Sequence, residues 1–117
     1  MQIELDAFSG LPNPRWELSE AQAAEFLTRL RALRPAQRSA GVNDGLGYRG
    51  FVITGNGGPV DGYDEVRVYR GTAVARRGDR AEAFSDPDAA LERWLFGTAR
   101  GHVDEALIRD IQNEAGR

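Results

Sequence analysis

Residues 2–8 alternate polar Gln2, Glu4 and Asp6 with apolar Ile3, Leu5 and Ala7. A period of two sends the two sets to opposite faces, so this stretch predicts a half-buried β-strand. Ser9-Gly10-Leu11-Pro12-Asn13-Pro14 stops it, and two prolines so close fix two φ angles and stiffen the loop. The period then changes. Ala23, Phe26, Leu27, Leu30 and Leu33 recur at helical spacing and form one apolar face. Ser19 begins this helix, with Gln22 at the capping-box distance and Leu18 placed to staple onto Ala23. Glu20 and Glu25 lie early and Arg29 and Arg31 late, as the helix dipole favours, and Pro35 ends the helix.

The polar, glycine-rich residues 36–47 predict a loop. A second strand is expected over 48–54, centred on Phe51, Val52 and Ile53. The run Gly55-Asn56-Gly57-Gly58-Pro59-Val60-Asp61-Gly62 is a turn, because no regular element tolerates that density of glycine. Val66 and Val68 alternate with Arg67 and Tyr69 in a third strand over 65–70. Residues 73–76 and 80–84 predict short further strands around Arg77-Gly78-Asp79. Ser85-Asp86-Pro87-Asp88 starts a second helix, capped by Ser85 or Asp86, with Ala90, Leu91, Trp94 and Leu95 as its apolar stripe. A last helix over 103–114 buries Val103, Leu107, Ile108 and Ile111. The expected fold class is α+β: a small, mostly antiparallel sheet of three to five strands with three helices packed on it. The element order reads β-α-β-β-(β)-α-α.

The 117 residues suit one domain, 1–117, with no repeat and no linker. The absence of cysteine removes disulfides, thiolate nucleophiles and cysteine metal sites. All 15 basic residues are arginine, which a GC-rich genome explains. A lysine Schiff base and a P-loop lysine are therefore impossible. Net charge is −3 and the pI is near 5.2, which argues against nonspecific nucleic-acid binding. The N-terminal residues have no basic and apolar leader pattern, and no run reaches the roughly 20 apolar residues of a membrane span. A cytoplasmic location and no membrane association are expected by default.

Chemistry-bearing motifs are few. Gly45-Leu46-Gly47-Tyr48-Arg49-Gly50 spells G-x-G-x-x-G, and with Val52 it matches the glycine-rich loop of kinases. The dinucleotide version requires a strand before it and a helix after it, whereas here a loop precedes and a strand follows. The kinase version requires a lysine and downstream catalytic segments that this chain lacks. A glycine-rich strand start is the simpler reading, and no cofactor is expected. His102 is the single histidine. A Ser-His-Asp triad would have to use it, with Asp104 nearby, yet 101–105 reads as a helix start with acidic residues in its first turn. Asp61, Asp64 and Glu65 crowd one turn but break the EF-hand pattern, where position one would fall on Gly57, so no metal site is expected. Arg76, Arg77 and Arg80 read as a solvated basic turn.

A site can still be placed by topology. If strands 2–8 and 48–54 run parallel, the proline loop, the start of the first helix and the 55–64 turn converge on one edge of the sheet. Helix starts and strand ends commonly hold ligands. The candidate ligand-binding residues are then Ser9, Asn13, Arg15, Trp16, Asn56, Asp61 and Tyr63. Trp16 has a competing role as a plug for one end of the core. Antiparallel strands would instead set residues 45–50 against the proline loop. The function expected first is a non-enzymatic binding or accessory domain for a peptide, a partner protein or a small polar ligand. A small acid–base enzyme using His102 or a buried carboxylate is the alternative. A third reading is a structural subunit whose helices pack against another chain.

Overall fold

The computed structural model describes residues 1–7, 13–36 and 49–115. Within them, seven strands form one sheet: β1 (Gln2–Leu5), β2 (Arg15–Glu17), β3 (Arg34–Pro35), β4 (Phe51–Thr54), β5 (Glu65–Tyr69), β6 (Thr72–Arg77) and β7 (Arg80–Ser85). Three helices accompany it: α1 (Glu20–Arg31), α2 (Ala90–Thr98) and α3 (Glu105–Ala115). The strand order is β2-β1-β4-β5-β6-β7-β3, and every neighbouring pair is antiparallel.

The α+β class and the three helices agree with the pattern of the sequence. The expected sheet of three to five strands and the expected element order do not. The extra strands are the two edges. β2 is three residues, exposed–buried–exposed, too short for periodicity to announce. β3 is an arginine and a proline following α1, paired with Ser85 and Phe84. Proline lacks an N–H and is tolerated at such an edge. Ala36 N continues the pairing with a 2.8 Å bond to Ala83 O.

The parallel arrangement assumed for the candidate site is also overturned. Gln2 pairs with Thr54 and Leu5 with Phe51, so β1 and β4 run antiparallel. The alternation within β1 accounts for this. Strands of parallel sheets are buried on both faces and read as continuous apolar runs, whereas β1 keeps Gln2 and Glu4 on a half-exposed face.

The core lies on one side of the sheet. Ile3, Leu5, Trp16, Phe51, Ile53, Val66, Val68, Ala73 and Ala75 supply its floor. Phe26 and Leu30 of α1, Leu91, Leu95 and Phe96 of α2, and Ile108 and Ile111 of α3 close over it. Phe51 is wedged edge-on between two rings, 4.8 Å from Phe96 and 6.3 Å from Trp16 between centres.

The helix starts follow local chemistry. Ser19 and Gln22 form the reciprocal capping box that their spacing implies. Ahead of α2, the buried Asp86 carboxylate accepts from Leu91 N at 2.9 Å and Glu92 N at 3.1 Å. It reaches across a 3-10 turn, Pro87–Ala89, in which Asp88 and Ala89 are left-handed at φ 57° and 53°. Such strain persists only where the surroundings hold it, and the two Asp86 bonds do so here.

Candidate functional site

Antiparallel pairing splits the sequence-predicted site between opposite ends of the sheet. Ser9 lies outside the described residues. Asn13 and Arg15 belong to the β1–β2 end, where both bind Glu4. Asn13 Nδ2 donates to Glu4 Oε2 at 3.1 Å, and Arg15 Nε lies 2.8 Å from Glu4 Oε1. Next to them Asp6, largely buried, is paired with Arg67 at 3.0 Å and Arg49 at 3.4 Å. Asp6 N and O also bond Gly50 O and Arg49 N, so the approach of residues 49–50 to this end matches the antiparallel alternative. Residues 45–48, the rest of the glycine motif, lie outside the described residues.

Trp16 is 4% exposed and belongs to the core. Its indole N–H donates to Thr98 Oγ1 at 3.1 Å, and that hydroxyl donates onward to Leu95 O at 2.7 Å. The competing role as a plug is the one the structure gives it, with a hydroxyl as the acceptor.

Asn56, Asp61 and Tyr63 sit at the other end, beyond β4. Asn56 is exposed. Asp61 is bound by Arg31 of α1 at 2.8 Å. That bond holds the Asp61 carboxyl below the usual carboxylate range and raises Arg31 in turn. Tyr63 donates to Glu82 Oε2 at 3.0 Å and lies under the Arg77 guanidinium. The three carboxylates of this turn point to separate partners: Asp61 to Arg31, Asp64 to Gly78 N, and Glu65 to Arg76. Among the described residues, no group of three ligand-type side chains gathers to hold a metal.

Desolvation, then the Glu82 hydrogen bond, raises the Tyr63 phenol above its ordinary pKa. A folded pKa above the unfolded one stabilises the fold below the unfolded value, and this stabilisation is lost as pH rises through the folded value. Absorbance titration at 295 nm is expected to show a tyrosine ionising late, and Tyr63→Phe should remove that step. Asp61 has the opposite sign: its contribution is present at neutral pH and fades as pH falls through its lowered pKa.

His102 is exposed and stacks on Trp16 with ring centres 6.1 Å apart. Asp104 serves as the cap of α3, its Oδ1 accepting from Ala106 N at 2.8 Å. The two side chains therefore have separate structural tasks.

The feature that sequence reading missed is a cleft of about 390 Å³ between α2 and α3. α2 contributes Arg93, Phe96 and Gly97, and Arg100 follows two residues past its end, so the four are spaced i, i+3, i+4 and i+7. α3 contributes Glu105, Ile108, Arg109 and Gln112 at the same spacing. The α3 set is one helical face, and the α2 set is one that the following turn completes. The 99–104 turn, closed by His102 N and Val103 N on Ala99 O, sets the two faces against each other. Phe96 and Ile108 are buried and form the apolar floor. Arg93, Arg100 and Arg109 are exposed around it.

Six arginines elsewhere, at 15, 29, 31, 49, 67 and 76, are held by carboxylates. Among the described residues none of the three cleft arginines has such a partner, nor do Arg34, Arg70, Arg77 and Arg80, but only the three share one cleft, where Glu105 also stands. Three guanidiniums against one carboxylate make the cleft locally cationic on a protein of net charge −3. A second hollow of about 250 Å³, between Leu33 and Pro87, has a mostly apolar lining in which Arg29 and Asp86 are the charged members. Comparison with protein-family models, with curated proteins and with solved structures finds no match to this chain.

Proposed function

We propose that this chain is a non-enzymatic binding domain that works through the α2–α3 cleft and recognises a ligand or partner bearing negative charge. The observation that carries the reading is the set of three arginines around an apolar floor, outnumbering the cleft's one carboxylate and ion-paired to none among the described residues. Guanidinium groups present five donors in a planar fork and suit carboxylate and phosphate oxygens. A concave site concentrates their field, which draws anions even to an acidic protein.

The placement of the acid–base candidates supports a binding role over catalysis. His102 rests on Trp16 outside the cleft lining, Asp104 caps α3, and two of the three buried carboxylates, Asp6 and Asp86, bind arginines and backbone N–H groups, the third being Glu92 of α2. A thermal-shift panel at fixed ionic strength tests the reading. Anionic compounds are expected to raise Tm and cationic ones to leave it unchanged. At a hundredfold excess over Kd the gain is about 2.7 kcal/mol, several degrees for a domain of this size. Replacing Arg93, Arg100 and Arg109 together with glutamine should abolish the rise. An unchanged rise in that variant, or no rise with any anion, defeats the reading.

A further inference from the structure

We infer that the occupant of the α2–α3 cleft is a small polyanion, a molecule carrying two or more carboxylate or phosphate groups, rather than a segment of a protein. The inference rests on the binding role proposed above and narrows it to a ligand class.

Size is the first argument. The lining runs from residue 93 to 100 and from 105 to 112, seven steps in each case, about 10 Å at the helical rise of 1.5 Å per residue. A volume of about 390 Å³ falls in the range of small-molecule sites, roughly 300–1,000 Å³. A stable protein interface needs about 800 Å² from each partner, far more than two short helical faces supply.

Charge placement is the second argument. Arg93 on α2 and Arg100 in the turn that follows it lie seven residues apart, and Arg109 lines the cleft from α3. Separated cations favour a ligand whose negative charges are also separated, because one carboxylate can occupy only one fork at a time. Glu105 adds a directional requirement. An ionised carboxylate only accepts hydrogen bonds, so it favours a hydroxyl or amino donor on the ligand and repels an anion placed against it. Gln112 both donates and accepts. The apolar floor of Phe96 and Ile108 leaves room for a short carbon skeleton between the charged groups.

Calorimetry and 15N-correlated NMR of the whole chain test the inference. The probes are citrate and inorganic pyrophosphate as polyanions, acetate as a single-charge control, and an acidic amphipathic helical peptide. Citrate or pyrophosphate is expected to bind with a sub-millimolar Kd and to shift amides within 93–100 and 105–112. Acetate should bind at least tenfold more weakly. Arg93→Gln, Arg100→Gln and Arg109→Gln should each weaken polyanion binding at least tenfold with an unchanged far-UV spectrum. Arg80→Gln, at the start of β7, should leave it unchanged. If the peptide alone shifts the cleft amides, the small-ligand inference is overturned and the binding role stands. If no probe shifts them, both fall. Polyanion binding that survives in all three cleft variants overturns the inference as well.

Discussion

Replacing Trp16 with alanine is expected to cost the domain about 3–5 kcal/mol, a large part of the 5–15 kcal/mol typical of a domain's stability. The side chain is almost fully buried, contacts Phe51 edge-to-face and carries His102 stacked on its outer surface. Alanine leaves a cavity between the β2 edge and the end of α2. It also removes the donor that Thr98 Oγ1 accepts. Trp16→Phe should cost less, because a ring remains and Thr98 keeps its own bond to Leu95 O. Arg15→Ala is the contrasting variant. Arg15 is 62% exposed and its pair with Glu4 is a surface ion pair, so its loss should stay within about 1 kcal/mol. Urea unfolding followed by far-UV circular dichroism compares all three without relying on tryptophan emission. A Trp16→Ala loss below that of Arg15→Ala would contradict the core assignment and return Trp16 to the role of an interface residue.

What was legible in the sequence is what short-range chemistry decides. The Ser19–Gln22 capping box, the cap at Asp86 and the strands around Arg77-Gly78-Asp79 depend on residues a few positions apart. The edge strands β2 and β3 were hidden because two or three residues carry no usable period, and because Pro14 and Pro35 beside them read as breakers. The direction of β4 relative to β1 is a long-range matter. The half-polar alternation of Gln2–Leu5 did favour an antiparallel neighbour, yet the predicted site was built on the other choice. That choice alone moved Asn13 and Arg15 to one end and Asp61 and Tyr63 to the other.

The cleft had a readable half. Arg93, Gly97 and Arg100, and Glu105, Arg109 and Gln112, recur at helical spacing, each set flanking one core residue, Phe96 or Ile108. Facing the two stripes across a gap depends on the 99–104 turn, which no periodicity encodes. Attention to Arg76, Arg77 and Arg80 as the basic cluster also pointed away from it. In the fold Arg76 is bound to Glu65, and Arg77 to Gly62 O at 2.7 Å.

Gly50→Ala is the second substitution with a large expected effect, a loss of about 3 kcal/mol or more. Gly50 has φ +99°, a region that L side chains rarely adopt, and strain of that kind costs roughly 1–3 kcal/mol. The residue also lies tight against β5. A Cβ here would run into the Val68 carbonyl oxygen and stand 2.8 Å from Tyr69 Cβ. Backbone atoms cannot swing aside as a flexible side chain can, so overpacking adds about 1–3 kcal/mol. The disturbance would spread, because Gly50 O accepts from Asp6 N and the neighbouring Arg49 O accepts from Arg67 Nη1. Gly57→Ala separates the two causes. Gly57 has φ +76°, but an added Cβ would meet nothing within 4 Å, so only the backbone penalty of about 1 kcal/mol applies. Equal losses for the two variants in urea melts would refute the close-approach argument. A larger loss at Gly50 would give the final glycine of the Gly45–Gly50 motif a packing role, which accounts for that position without any phosphate.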